Sequence, residues 1–185
     1  MPTESENTES AGIELSEHEL REITGYAADC AHRVLFLFEQ QLPAHTPDTR
    51  PRDAIDAAHT FAGGGRRTNA LRQCAWAAYK AAQHTVSPAA ADAARAASHA
   101  AAAAYLHPKA SAHQVKHILG AAAHAARAEE LAASEDRRVS VRTLDWARHH
   151  APPAVTAVLD RLPAAPTGGG RVGEIIRDLD AALRS

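Results

Sequence analysis

Aromatic side chains are almost missing from this chain of 185 residues, in which Phe, Trp and Tyr together make up 4%. Strands draw on aromatic and β-branched residues, so a sandwich or barrel is disfavoured. Cysteine is equally scarce: Cys30 and Cys74 stand in quite different segments, which leaves neither a disulfide framework nor a paired-thiol zinc site. Both sit amid alanine and apolar residues and read as inert thiols. Long apolar runs are missing as well. The alanine stretch near Ala100 is too short and too weakly apolar to span a bilayer, and the start of the sequence has no apolar leader pattern. A cytoplasmic protein without a membrane partner is expected. Excess charge of one sign is also lacking, since 20 Lys+Arg against 22 Asp+Glu give a net charge of -2. Duplex binding needs a basic surface excess, here from Arg66, Arg67, Arg72, Lys80 and Arg95, and the balance argues against a nucleic-acid partner.

What the chain has is alanine, 45 of them. Alanine is the strongest helix former, and its small side chain permits close packing, so the expected fold is all-α. The expected form is a compact irregular bundle of about five to seven helices, with stacked antiparallel helix pairs as a variant. Residues 1–13 read as a disordered acidic lead, 14–162 as one alanine-rich helical domain, 163–170 as a linker and 171–185 as an amphipathic helix. Ser16 and Glu19 form a capping-box pattern. The first helical region then runs to about Leu42, where Gly25 is a candidate break. Pro51 opens a second helix, and Ser87–Pro88 is an N-cap followed by an N1 proline.

The polar residues stand out against this background. Asp29 and Arg33 are four apart, as are Arg52 and Asp56, so each couple can pair on one helix face. Arg50 and Arg52 can hold a carboxylate or phosphate, or lock helices together. His113, His117 and His124 follow at spacings of four and seven, with His99 on the preceding helix. Zinc favours such spacing, but the glutamate of the zincin motif is absent. No cofactor is expected; a divalent metal at His113, His117 and His99 is the weaker alternative. Trp76, Tyr79 and Tyr105 read as large pieces filling gaps in an alanine core, and Trp146 as an anchor for the C-terminal part.

Four stretches are distinctive together: Tyr26–Glu39, Asp48–Ala58, Ala97–Tyr105 and His117–Ala125. On these the chain resembles the alanine-rich immunity-protein-5-like family of bacteria, over about residues 20–130. The resemblance implies a protein that binds and neutralises a toxin without catalysis. It points to Asp29, Arg33, Asp48, Arg50, Arg52, His99 and His117 as the family's polar positions. Tyr105 stands where the family commonly has histidine, Ser98 where a glycine is usual, and Leu106–Lys116 is an insertion.

An alternative is a small helical enzyme or small-molecule binder of a biosynthetic pathway. His99 and His117 then act as acid or base, oriented by Asp29 or Asp48, while Arg33, Arg50, Arg52 and Tyr105 hold an anionic substrate. That reading requires these groups to converge in one interhelical pocket. The expected partner is thus a protein or a small anionic molecule, with homo-oligomerisation left open.

Overall fold

The computed structural model describes residues 11–185. Among them are nine α-helices and no sheet: α1 (Glu17–His32), α2 (Leu35–Glu39), α3 (Arg50–Ala62), α4 (Asn69–His84), α5 (Pro88–Ala102), α6 (Val115–Ala132), α7 (Arg137–His150), α8 (Pro153–Leu159) and α9 (Gly170–Leu183). The all-α reading stands. The count exceeds the five to seven expected, because the chain re-nucleates short helices after turns and prolines. The first ten positions of the acidic lead lie outside the described residues. Just beyond them, Ile13 N–H donates to Pro108 O at 3.2 Å and Ala110 N–H to Ala11 O at 2.8 Å, which ties this strand-like piece to the α5–α6 connection.

Local chemistry explains the helix ends. The Ser16–Glu19 capping box is formed in both directions, satisfying two donors that the first turn of α1 would leave unpaired. The Ser87 hydroxyl accepts from Ala90 N–H, and Pro88 stands at the start of α5. The break expected at Gly25 is absent. Gly25 is inside α1, where an added Cβ would lie 3.2 Å from the Cβ of Ala62, so the missing side chain lets α1 and α3 approach. The break falls at Arg33–Val34, between α1 and α2.

Alanine decides the packing. Helix α5 buries Ala90, Ala91, Ala93, Ala94, Ala96, Ala97, Ala100 and Ala101, residues on all sides of the helix. A helix apolar all round belongs in an interior, and α5 is packed against α1, α2, α3, α4 and α6. The Ser98 hydroxyl donates to Ala75 O at 2.8 Å, and the Tyr105 hydroxyl donates to Thr68 O; α4 and α5 therefore run antiparallel. Asp92 meets His124 while His99 meets Gly120, so α5 and α6 are antiparallel as well.

The C-terminal helix is held by charge. Glu130 on α6 is 1% exposed at its side chain. It accepts from Arg171 Nη2 at 2.6 Å, from the Ser140 hydroxyl at 2.6 Å and from Arg127. These bonds, those of Arg171 above all, pull its carboxyl well below the usual range, to about 2. Around them, Ile175 and Leu179 bury the apolar side of α9. The connector before α9 is tied down too: Arg177 donates to Gly168 O at 2.7 Å and Ala165 N–H to Asp180 at 2.9 Å. Gly168, Gly169 and Gly170 all adopt positive φ, a conformation costly for other residues. Arg171→Ala leaves Glu130 with one cation fewer in a buried setting. It is expected to lower unfolding free energy by about 3 kcal/mol, measured by urea denaturation.

Candidate functional site

The α5–α6 contact holds a histidine cluster. His124 is hydrogen-bonded through Nδ1 to Asp92 Oδ1 at 2.6 Å, and Arg95 lies 3.5 Å from the same oxygen. The ring of His99 stacks on that of His124, with centroids 5.0 Å apart and planes 27° apart. This arrangement depends on Gly120, where an added Cβ would fall 2.5 Å from His99 Nδ1. Burial drives the His99 imidazole down to about 3, helped by His124, His117 and Lys116 nearby. Burial, then Lys116, His107 and His113, also lower His117.

His113 does not join them. It lies in a 3-10 turn (Ala112–Gln114) ahead of α6, near enough to act on the charge of His117, but its side chain is exposed. Among the described residues, no group of three or more His, Cys, Asp or Glu is placed to hold a metal ion. The trio His99, His113 and His117 is therefore not assembled as a metal site. The Cys30 thiol, fully buried, is pushed up to about 12, and burial raises Cys74 too; neither is a ready thiolate at neutral pH.

The acid–arginine residues are distributed elsewhere. The Asp29 carboxylate is hydrogen-bonded to His59 Nε2 at 2.8 Å, not to the Arg33 guanidinium. Arg33 caps the end of α1 and turns its guanidinium over Trp146, 4.3 Å from the ring centroid, with Glu129 at 3.8 Å. The anchoring of Trp146 is thus achieved by Arg33. Arg52 reaches across to Glu39 of α2 at 2.5 Å and 2.8 Å, not to Asp56. Asp48 and Arg50 form a two-point pair at 2.6 and 2.8 Å, with His84 3.4 Å from Arg50. Arg50 accordingly holds the Asp48 carboxyl below the usual range. Among the described residues, no hydrogen bond or ion pair joins Asp29, Asp48, Arg50 or Arg52 to His99 or His117.

Of the predicted set, His117 and Tyr105 do come together. With Arg72, Ala75, Ala102 and His107 they line a cavity of about 260 Å³ between α4 and the two ends of the α5–α6 connection. The Tyr105 ring lies under Arg72 at 4.4 Å and near Arg67 at 5.6 Å.

The aromatic residues of α4 overturn the gap-filling expectation. Trp76 is 60% exposed and Tyr79 39%. Their rings stack at 5.4 Å, with Lys80 Nζ 4.8 Å from the Trp76 centroid. The signal was in the spacing: Arg72, Trp76, Tyr79 and Lys80 share one side of α4, whereas Leu71, Ala75, Ala78 and Ala82 take the buried one. A second legible signal is charge. Residues 57–128 contain eight Lys and Arg but one carboxylate, Asp92, and Asp92 is engaged by His124 and Arg95. The near-neutral total conceals a basic middle that follows an acidic N-terminal part and precedes a nearly balanced C-terminal one.

The molecule is thus an all-α bundle in which several internal polar groups, Glu130 and Asp92 among them, join helices, and whose outer α4 face is aromatic and basic. The chain belongs to the family described as Imm-5 like putative immunity protein, whose model matches residues 13–153, from Ile13 to the start of α8. No curated protein and no solved structure matches it.

Two outcomes test the cluster. Gly120→Ala forces His99 to move and is expected to cost about 1–3 kcal/mol by overpacking, read as a lower melting temperature. His99 has a folded pKa near 3 against 6.5 unfolded, so only the unfolded chain gains this proton between those values. Stability is therefore lost as pH falls from 6.5 toward 3, by up to about 1.4 kcal/mol per unit. Urea midpoints of the protein and of His99→Gln across that window are expected to differ in slope, the variant being flatter.

Proposed function

We propose that this protein neutralises a toxic partner protein by binding it, with the outer face of α4 as the main contact. The observation that carries this reading is the exposed Trp76–Tyr79 stack with Lys80 beside it. Trp, Tyr and Arg dominate the energetics of interfaces, and a pre-stacked pair loses little freedom on binding. Membership of an immunity family supplies the class of partner. The near absence of carboxylates from 57 to 128 supplies its complement, an acidic patch on the toxin, which would speed association as well as fix orientation.

The catalytic alternative needs Arg50 or Arg52 to share a pocket with His99 or His117. Asp48 and Arg50 instead adjoin the cavity lined by Phe38, Leu42 and His84, apart from the one that His117 lines. No helix among the described residues is long and apolar enough to cross a membrane, in keeping with a partner met in solution.

The test is co-expression with a candidate toxin domain, read as growth protection and co-purification. Trp76→Ala is expected to weaken the complex by about 30-fold or more, corresponding to a hot spot of about 2 kcal/mol, with unchanged circular dichroism. Full protection by Trp76→Ala would remove α4 as the contact. Concentration-dependent dimerisation abolished by the same change would reassign the face to self-association. Steeply salt-dependent duplex binding would replace the protein partner by nucleic acid.

A further inference from the structure

We infer that the cavity beside α4 is a binding site for a small organic oxyanion, a carboxylate or phosphate group on a short apolar stem. The inference is independent of the partner-binding reading. Four features of the cavity carry it.

Its polar lining is Arg72, Tyr105, His107 and His117, without a carboxylate, and its remaining walls are the methyl groups of Ala75 and Ala102. Donors thus face an apolar floor, the composition that fits an anionic head and a hydrocarbon stem.

The Arg72 guanidinium is also held in place before any ligand arrives. It stacks over the Tyr105 ring at 4.4 Å, and the Tyr105 hydroxyl is in turn anchored on Thr68 O. The ring lies against the guanidinium, whose N–H edge makes no hydrogen bond or ion pair among the described residues. No carboxylate among the described residues claims that edge. A planar fork of this kind matches an oxyanion through two parallel hydrogen bonds.

The imidazoles of His107 and His117 are likewise without a hydrogen-bond partner among the described residues. His117 is half-buried, and a neutral imidazole there retains one N–H to donate. His107 is at the exposed rim, where it adds a second donor.

Finally, the surroundings do not neutralise the site. Every lining residue falls within 57–128, whose one carboxylate, Asp92, is committed to His124 and Arg95. Lys116, next to His117, adds positive charge. The lining itself holds no carboxylate to compete with an incoming anion.

The experiment titrates the whole protein with phenyl phosphate, benzoate and inorganic phosphate while following the imidazole resonances by NMR. Saturable shifts of His107 and His117 with phenyl phosphate or benzoate are expected, with inorganic phosphate about tenfold weaker for want of a stem. Arg72→Leu is expected to weaken binding by about tenfold or more, and Arg148→Leu, on the exposed side of α7, to leave it unchanged. Unsaturable shifts with both organic anions would overturn the site. Equal weakening in the two variants would overturn it in favour of diffuse charge. Inorganic phosphate binding as tightly as phenyl phosphate would overturn the role of the apolar floor. None of these readouts involves a partner protein, so failure here leaves the immunity reading to its own test.

Discussion

The close approach of α4, α5 and α6 is the constraint on which the molecule depends. Helix axes come near one another only where the side chains between them are small, and α5 presents buried alanine to every neighbour. A leucine or phenylalanine at Ala94 or Ala97 has nowhere to go without separating helices on both sides. The same constraint selects Gly120: it is the place where the seam admits one large ring, that of His99. Larger apolar residues, among them Ile23, Ile55, Phe61, Ile118 and Leu119, are buried in the same core as these alanines.

A core made of methyl groups gains less per residue from burial than one made of leucine. The protein adds specific polar ties between helices. Glu130 collects Arg127, Arg171 and Ser140 and so joins α6, α7 and α9. Arg33 bridges α1 to Trp146 of α7, and Arg161 reaches Glu19 and the backbone of Glu14. The Glu130 and Glu19 carboxylates, both outside the middle segment, are engaged in this way. The basic residues of the middle segment have few acids to meet, and their charge is left to the surface around α4. Packing and electrostatics thereby point to the same face, since bulky Trp76 and Tyr79 also have no room in the alanine seam.

Much of the fold was legible. Caps at Ser16 and Ser87 follow from residues adjacent in sequence, and so does the amphipathic character of α9. The exposed α4 face was legible too, because Trp76 falls four residues from Arg72 and from Lys80. It was obscured by the general expectation that scarce aromatics go inside. The pairing of Asp29 and Arg33 was misread for a physical reason. The i,i+4 rule compares partners on one helix, and each residue had a competing partner on another helix, His59 for Asp29 and the Trp146 ring for Arg33. Spacing contains no information about such competitors.

By itself, the sequence determined an all-α protein built on alanine, the principal helix starts, the family, and the charge asymmetry that a net total hides. Those depend on propensity, capping and composition, which act over a few residues at a time. Only the tertiary structure decided that Gly25 is a crossing point and not a break, and that Glu130 is the anchor of the last helix. It also decided that His117 shares a cavity with Arg72 and Tyr105, away from the arginines near position 50. Each of these is a contact between residues far apart in the chain, chosen by how closely small side chains allow the helices to approach.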